Sequence, residues 1–491
     1  MSRIVIVGAG FAGLSAACHL VGSGHQVTVL ERNAQVGGLA GRLQQDGFTF
    51  DTGPTVMTMP ELVYDALRAA GVRDPEQAAP MRRLDPAYNA HFADGSTLLV
   101  RDGVEAMRAE IAATAGESQA QAWDAFVPWL ERLYEIEFPH FIDRNFDHVT
   151  DLVANPVAAA KLLRMGAFRR LGPLIDGIFD DDRLRRLFTF QALYAGVSPR
   201  RALAIYAVIT YLDCVRGVFY PDGGIHALPQ AMARAVVAAG GRIHADVTVT
   251  GIDRDSAGRV VAVCTDSGPQ AADAVVHTGD LGRVYRDLLP DLSPPRMLRR
   301  PRHSPSAVVW HVGARGLPDA GIGHHNVHFG RAWDQSFREL LSDGRLMSAP
   351  SRLVTVPSIT DPARAPGGCS TLYVLEPVPN LNAGLDWNTY RAPMRERLLA
   401  FLDVNGYPTD VVADQLVTPA DWSARGLSAG TPFAFAHTFA QTGPFRAPNH
   451  EKRLPGMYFA GHGTTPGVGV PMVLISGRLA AARVIRQLGR L

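Results

Sequence analysis

The chain has 491 residues, 47% of them hydrophobic, enough for two or more domains, since single cores stop growing near roughly 250–300 residues. Its 48 basic and 47 acidic side chains nearly cancel, so no global charge argues for nucleic acid. The four cysteines, Cys18, Cys214, Cys264 and Cys369, lie far apart without a C-x-x-C, which excludes a zinc ribbon or thioredoxin-like site and points to a reducing, cytoplasmic-side setting.

The first element is an apolar strand, Ile4-Val5-Ile6-Val7, followed by Gly8, Gly10 and Gly13 in G-x-G-x-x-G spacing and then by the small-residue helix Leu14-Ser15-Ala16-Ala17. This apolar run is too short for a signal peptide. A second strand, Gln26 to Leu30, ends in Glu31. Gly8 suits a tight turn, Gly10 a close approach to a pyrophosphate, and Gly13 close packing of helix on strand. The helix N-terminus offers free N–H groups to the phosphates. Glu31, roughly 20 residues on, can accept hydrogen bonds from ribose hydroxyls.

Arg32 and the Gly37-Gly38-Leu39-Ala40-Gly41-Arg42 run follow, then Asp51, Gly53 and Pro54. A nicotinamide dehydrogenase would continue as plain βαβ units. Here a second glycine loop allows another backbone approach to the cofactor, and Arg42 can offset phosphate charge. These features select FAD. Residues 61–220 read as mostly helical. Within them Ala202 to Leu212 is the longest apolar run, well short of the about 20 residues of a membrane span, and it stops at Asp213. Tyr220 to Gly224 is a turn, and Ala227 to Ala239 an amphipathic helix. Strands are expected at Arg242–Val249, Val260–Thr265 and Ala274–His277. The first of these, through Val249, can lie across the adenine. Pro290 to Pro305 reads as a crossing between domains. Residues 306–440 hold several β-like runs. The chain closes with a strand at Met457–Ala460, a glycine loop containing Gly461, Gly463 and Gly469, then Val470, and a helix from about Pro471 to Leu488. That helix N-terminus can stabilise negative charge on a flavin.

With these residues in view, the chain resembles the bacterial-type phytoene desaturase family of carotenoid oxidoreductases. The resemblance rests on GAGFAGL at the N-terminus, the Asp51-Thr52-Gly53-Pro54-Thr55 loop, and the segment Phe190-Gln191 through Tyr194-Ala195-Gly196 to Pro199. Tyr220-Pro221-Asp222-Gly223-Gly224, His324-His325-Asn326, Leu375-Glu376-Pro377-Val378-Pro379, Phe433, His437, Gln441 and Gly443-Pro444-Phe445-Arg446 extend it. Gly463-Thr464-x-Pro466-Gly467-x-Gly469-x-Pro471 closes it. Two positions depart from the family pattern: Leu39 stands where the family often has Arg, and Thr465 where it often has His. The resemblance implies an α/β chain, a Rossmann-like FAD-binding domain with a discontinuous mixed α+β substrate domain. Residues 1–80, 221–289 and 441–491 would form the FAD-binding domain, 81–220 a helical substrate and membrane-facing region, and 290–440 a β-rich substrate domain. The resemblance further implies noncovalent FAD, a carotenoid-type isoprenoid substrate drawn from a membrane, and peripheral attachment on the cytoplasmic side. Oxygen or a quinone would take the electrons.

No catalytic acid or base is assigned. Removal of a hydride from an isoprenoid leaves an allylic cation whose adjacent C–H is acidic, so a weak base or water suffices. Asp151 lies where some relatives carry an acid proposed for acid–base work, but their accompanying arginine is Ala154 here; the simpler reading is a helix cap. His324, His325 and His328 alternate as on strand faces rather than as metal ligands. Gly426-Leu427-Ser428-Ala429-Gly430 matches G-x-S-x-G without the strand and helix a nucleophile elbow needs. Pro156 to Leu174 reads as one basic amphipathic helix, with Lys161, Arg164, Arg169 and Arg170 meeting headgroups and Leu162, Met165 and Phe168 entering the acyl boundary. The rival readings are a carotenoid cis–trans isomerase using reduced FAD, a flavin amine oxidase, and a lipid-binding flavoprotein without turnover. An amine oxidase often ties FAD to a cysteine near the C-terminal loop, and none follows Cys369.

Overall fold

The computed structural model describes residues 1–489; the last two residues of the expected 441–491 segment lie outside that range. Short apolar strands with β-branched residues stack in parallel to form a five-stranded sheet. Its order is Met457–Phe459, Ala274–His277, Arg3–Val7, Gln26–Leu30, Arg242–His244. Every pairing in it is parallel. The buried helix Phe11–Val21 and the closing helix Val470–Leu488 share one apolar core with it. A three-stranded antiparallel sheet, Val249–Arg254, Val260–Thr265 and Gly268–Ala271, stands beside these strands.

The second large sheet has seven strands, in the order Asp410–Val417, Ser306–Arg315, Cys369–Val378, Arg352–Thr355, His325–Phe329, Tyr88–Phe92, Thr97–Val100. It is antiparallel except where His325–Phe329 runs parallel to Tyr88–Phe92. The helical reading of 61–220 therefore misses the hairpin 88–100, which forms one edge of this sheet. Tyr88, Ala90 and Phe92 alternate inward there, a period-two signal short enough to hide among neighbouring helices. The β-rich reading of 290–440 likewise misses the helix Trp387–Val404; Pro393 interrupts its pattern, yet Met394, Leu398 and Leu402 bury one face at helical spacing. The region 104–216 is helical and closes over the seven-stranded sheet, with Trp123, Phe126, Phe179 and Phe188 packed together in its core.

The single helix expected over 156–174 is two, Pro156–Arg164 and one beginning at Leu171, separated by a turn with Gly166 at positive φ. Its faces also differ from expectation. Leu162 is 1% exposed and Met165 half-buried, whereas Leu163 and Val157 are 65% and 61% exposed. Among the described residues no helix is long and apolar enough to cross a membrane.

Candidate functional site

One cavity of about 1360 Å³ runs between the two large sheets. At one end it is lined by Gly8, Gly10, Glu31, Gly38, Arg42, Gly53, Pro54, Val249, Gly461, Gly469 and Val470. Gly13 and Gly463 are not in its wall. Gly13 sits behind the first turn, where a Cβ would stand 2.0 Å from the Gly8 carbonyl oxygen, so its absence lets the helix approach the strand. Gly463 packs on Leu281. Gly10 differs. A Cβ there would meet no protein atom closer than 3.8 Å, so the space above it is open to the cavity.

The two glycine loops are knitted together. The Gly37 N–H donates to the Ala9 carbonyl at 2.8 Å, and Gly10 bridges Gly37. At Gly53 a Cβ would fall 2.0 Å from the Leu39 carbonyl oxygen, which fixes the third loop against the second. Glu31 is buried at the end of its strand. One carboxylate oxygen accepts from the Ala9 N–H at 2.8 Å, the other from Asn33 N and Nδ2 at 3.0 and 2.7 Å. No cation pairs with it among the described residues. Arg42 is exposed at the cavity edge.

Asp51 carries these loops from below. Its Oδ1 accepts from the His226 N–H at 3.2 Å and its Oδ2 from Arg364 at 2.9 Å, while His226 Nδ1 lies 2.8 Å from the Ala40 carbonyl. Burial pushes the Asp51 carboxyl up, against the pull of Arg364. At the closing loop Arg446 is fully enclosed. It donates to the carbonyls of Thr464 at 2.8 Å and Gln441 at 3.2 Å, and to that of His462. Burial lowers this guanidinium to about 10. Asn449 ties the same loop to Ser476 of the closing helix at 3.1 Å.

The other end of the cavity is apolar. Phe138, Phe141, Ile142, Leu203, Ile205, Val208, Ile209 and Leu212 line it, with Tyr373 and Phe433 across from them. It reaches the surface at Phe168 and Phe439, which are 40% and 59% exposed and also belong to its wall. Two acids interrupt this lining, Asp213 and Glu137. Both are buried, and Asp213 Oδ2 and Glu137 Oε2 have no hydrogen-bond partner. Burial raises Glu137 far above the carboxylate range and Asp213 to about 7. Sequence reasoning missed both. The available signal was an acid standing inside or at the end of an apolar helical run.

The remaining candidates resolve individually. Asp151 caps a short turn: its Oδ2 accepts from the Asp147 and His148 N–H groups at 2.7 and 2.9 Å. His324, His325 and His328 bond separately to Thr360, Thr355 and Tyr407. Ser428 Oγ donates to Asp280 at 2.6 Å, not to a histidine.

The sequence matches the family described as flavin containing amine oxidoreductase over residues 11–485. The chain belongs to this family. Within it the chain is of the phytoene desaturase type. It is 50% identical to a phytoene dehydrogenase from Streptomyces griseus, across 99% of this chain and 95% of that protein. It is 36% identical to a zeta-carotene-forming phytoene desaturase from Myxococcus xanthus, across 98% and 94%. A carotenoid 3,4-desaturase from Haloarcula japonica is 31% identical across 99% and 98%. Solved structures share the fold. An oxidoreductase from Methanosarcina mazei superposes with a TM-score of 0.64 at 16% identity, over 99% of this chain and all of that one. Putrescine oxidase bound to putrescine gives 0.61 at 15%, over 99% of both. Family and fold make this a flavoprotein, and the residues present fit FAD. The free space over Gly10 admits a pyrophosphate, and the buried Glu31 carboxylate borders the same cavity.

Proposed function

We propose that the protein is an FAD-dependent carotenoid desaturase that dehydrogenates phytoene or a close relative taken from a membrane. The observation that carries this reading is the continuous cavity. It joins a dinucleotide cradle to a long apolar chamber and opens at exposed phenylalanines. Its volume exceeds the roughly 300–1000 Å³ of ordinary small-molecule sites. An apolar wall of this extent suits a hydrocarbon.

When bound, FAD would supply a two-electron acceptor for hydride. Gly8, Gly10 and Glu31 would hold its adenosine diphosphate half, with Gly13 packing the helix behind that turn and Val249 against the adenine. Gly38, Arg42, Gly53 and Pro54 would flank the pyrophosphate and flavin, and Gly461, Gly469 and Val470 the pyrimidine edge, with Gly463 packing that loop on Leu281. The protein's further work is to bind, orient and keep dry. The segments 1–80, 221–289 and 441–491 form the cofactor-binding body in this reading, and the hairpin 88–100 joins the substrate body. Substrate passes through the opening at Phe168 and Phe439. Around it Val153, Val157 and Leu163 are exposed beside Lys161, Arg164, Arg169 and Arg170, an apolar patch with a basic rim suited to an anionic bilayer. Electrons leave to oxygen or a quinone.

The test is expression of the chain in cells that make phytoene but cannot desaturate it. New pigments with longer conjugation are expected. Unchanged phytoene beside folded, flavin-loaded protein would refute the reading, and isomerised carotenoid of unchanged mass would favour the isomerase.

A further inference from the structure

The geometry points to Asp213 as the group that receives the proton lost from the substrate, an inference that rests on the desaturase reading above. Three observations carry it. Asp213 lines the apolar chamber, is 3% exposed, and leaves Oδ2 without a partner. A buried polar atom with no partner costs on the order of 1–3 kcal/mol, so its persistence asks for a use. Asp213 also lies in a π-turn, Leu212–Arg216, that widens the end of a cavity-lining helix. Such turns collect at functional sites because they re-aim side chains. Finally, the chain at the two ends of the turn is anchored just past the Gly53-Pro54 loop. Leu212 packs in the same core as Met57 and Met59, and the Phe219 N–H donates to the Met57 carbonyl at 2.8 Å, just after the Gly53-Pro54 loop.

The ionisable groups facing Asp213 are Tyr88 from the seven-stranded sheet, Tyr194 from the short turn after Phe190, and its neighbour Cys214. No cation acts on it, so burial alone holds its carboxyl up near 7, opposed by the Tyr88 hydroxyl. Burial also raises Glu137, the second acid in the chamber, well above its ordinary value and so disfavours its charged form. In the step, one substrate C–H bond gives its hydrogen with both electrons to the flavin, which is the oxidant. The neighbouring C–H bond breaks, its hydrogen passes as a proton to an Asp213 carboxylate oxygen, and its electron pair becomes the new C=C bond. The hydrocarbon loses two electrons and the flavin gains them.

The test uses the holoenzyme with phytoene in anionic phospholipid vesicles, without oxygen, and follows flavin bleaching against pH. The parent rate should fall along a single ionisation below about pH 7. Asp213→Asn should keep its flavin, bleach roughly 10²–10⁴-fold more slowly, and lose that ionisation. Asp213→Glu should restore part of the rate with a displaced limb. Infrared difference spectra of the substrate-free holoenzyme give an independent readout: a protonated carboxyl band should titrate away near pH 7 and be missing in Asp213→Asn. If that variant does not fold, Tyr88→Phe carries the test. It should move limb and band upward together, and a limb that stays put refutes the assignment. Asp213→Asn bleaching within threefold of the parent with the same limb also refutes it, whereas failure of the parent itself to bleach removes the desaturase reading beneath it.

Discussion

At the nucleotide end of the cavity six glycines, Gly8, Gly10, Gly38, Gly53, Gly461 and Gly469, leave backbone in the wall; at the far end the wall is apolar and aromatic residues brought together from 134–213, 353–375 and 433–445. The first end has its shape fixed by short-range spacing, because the missing Cβ atoms, more than any side chain, make the surface. The second end depends on how distant helices pack against a sheet. The difference implies opposite responses to mutation. The cradle should fail abruptly at single positions. The chamber should change rate, substrate range and pH dependence while the protein stays folded.

The largest effect separates two glycines of one motif. Gly13→Ala should destabilise the fold itself, because the new Cβ overlaps the Gly8 carbonyl oxygen; little soluble protein is expected. Gly10→Val should yield folded but colourless protein, since the space it invades belongs to the cavity and not to the chain. Thermal melts of the apo forms, with flavin absorbance after reconstitution, read both. A yellow Gly10→Val protein would show that the cradle does not hold the cofactor at this point.

The next effect belongs to the chamber. The folded pKa of Asp213, about 7, stands above its ordinary 3.8. Between those values the folded protein keeps a proton that the unfolded chain has released. Stability from this group is therefore full below about pH 4 and declines as pH rises through 7. Asp213→Asn removes the decline. Above pH 7 it should be more stable than the parent by on the order of 4 kcal/mol, at about 1.4 kcal/mol for each unit of displacement. Denaturant midpoints at pH 5 and 8.5 check this; a variant equally destabilised at both would mean Asp213 contributes packing alone.

The smallest effect lies at the opening. Reversing Lys161, Arg164 and Arg169 to Glu should weaken binding to anionic liposomes by a few kcal/mol at low salt, about 1 kcal/mol for each basic residue near the surface. Replacing exposed Leu163 and Phe168 by Ser should weaken it further, and flavin content should not change. Pelleting across a salt series reads it. Parent-like pelleting of the triple variant would place docking elsewhere.

The same contrast explains what the sequence could show. Gly8, Gly10, Glu31, Gly53 and the helix closing at Leu488 were legible because each rests on local spacing. Asp213 was not, because an acid at the end of an apolar run looks like a helix terminus until the fold wraps the run around a chamber. The hairpin 88–100 escaped because its period-two pattern is brief and its partners, His325–Phe329 above all, lie more than 200 residues away. Leu162, expected at the acyl boundary, is instead buried for a related reason: helical spacing gives a face, but the neighbouring helix Glu117–Glu137 decides which face is covered.

The central claim is that hydride from a carotenoid precursor reaches flavin in this cavity. Its most direct test is one anaerobic turnover of the flavin-loaded enzyme with phytoene, reading flavin absorbance and product mass together. We expect the flavin to bleach once and then stop, with product lighter than substrate by two hydrogens. Flavin that stays oxidised, or continued turnover to product of unchanged mass, would contradict the account.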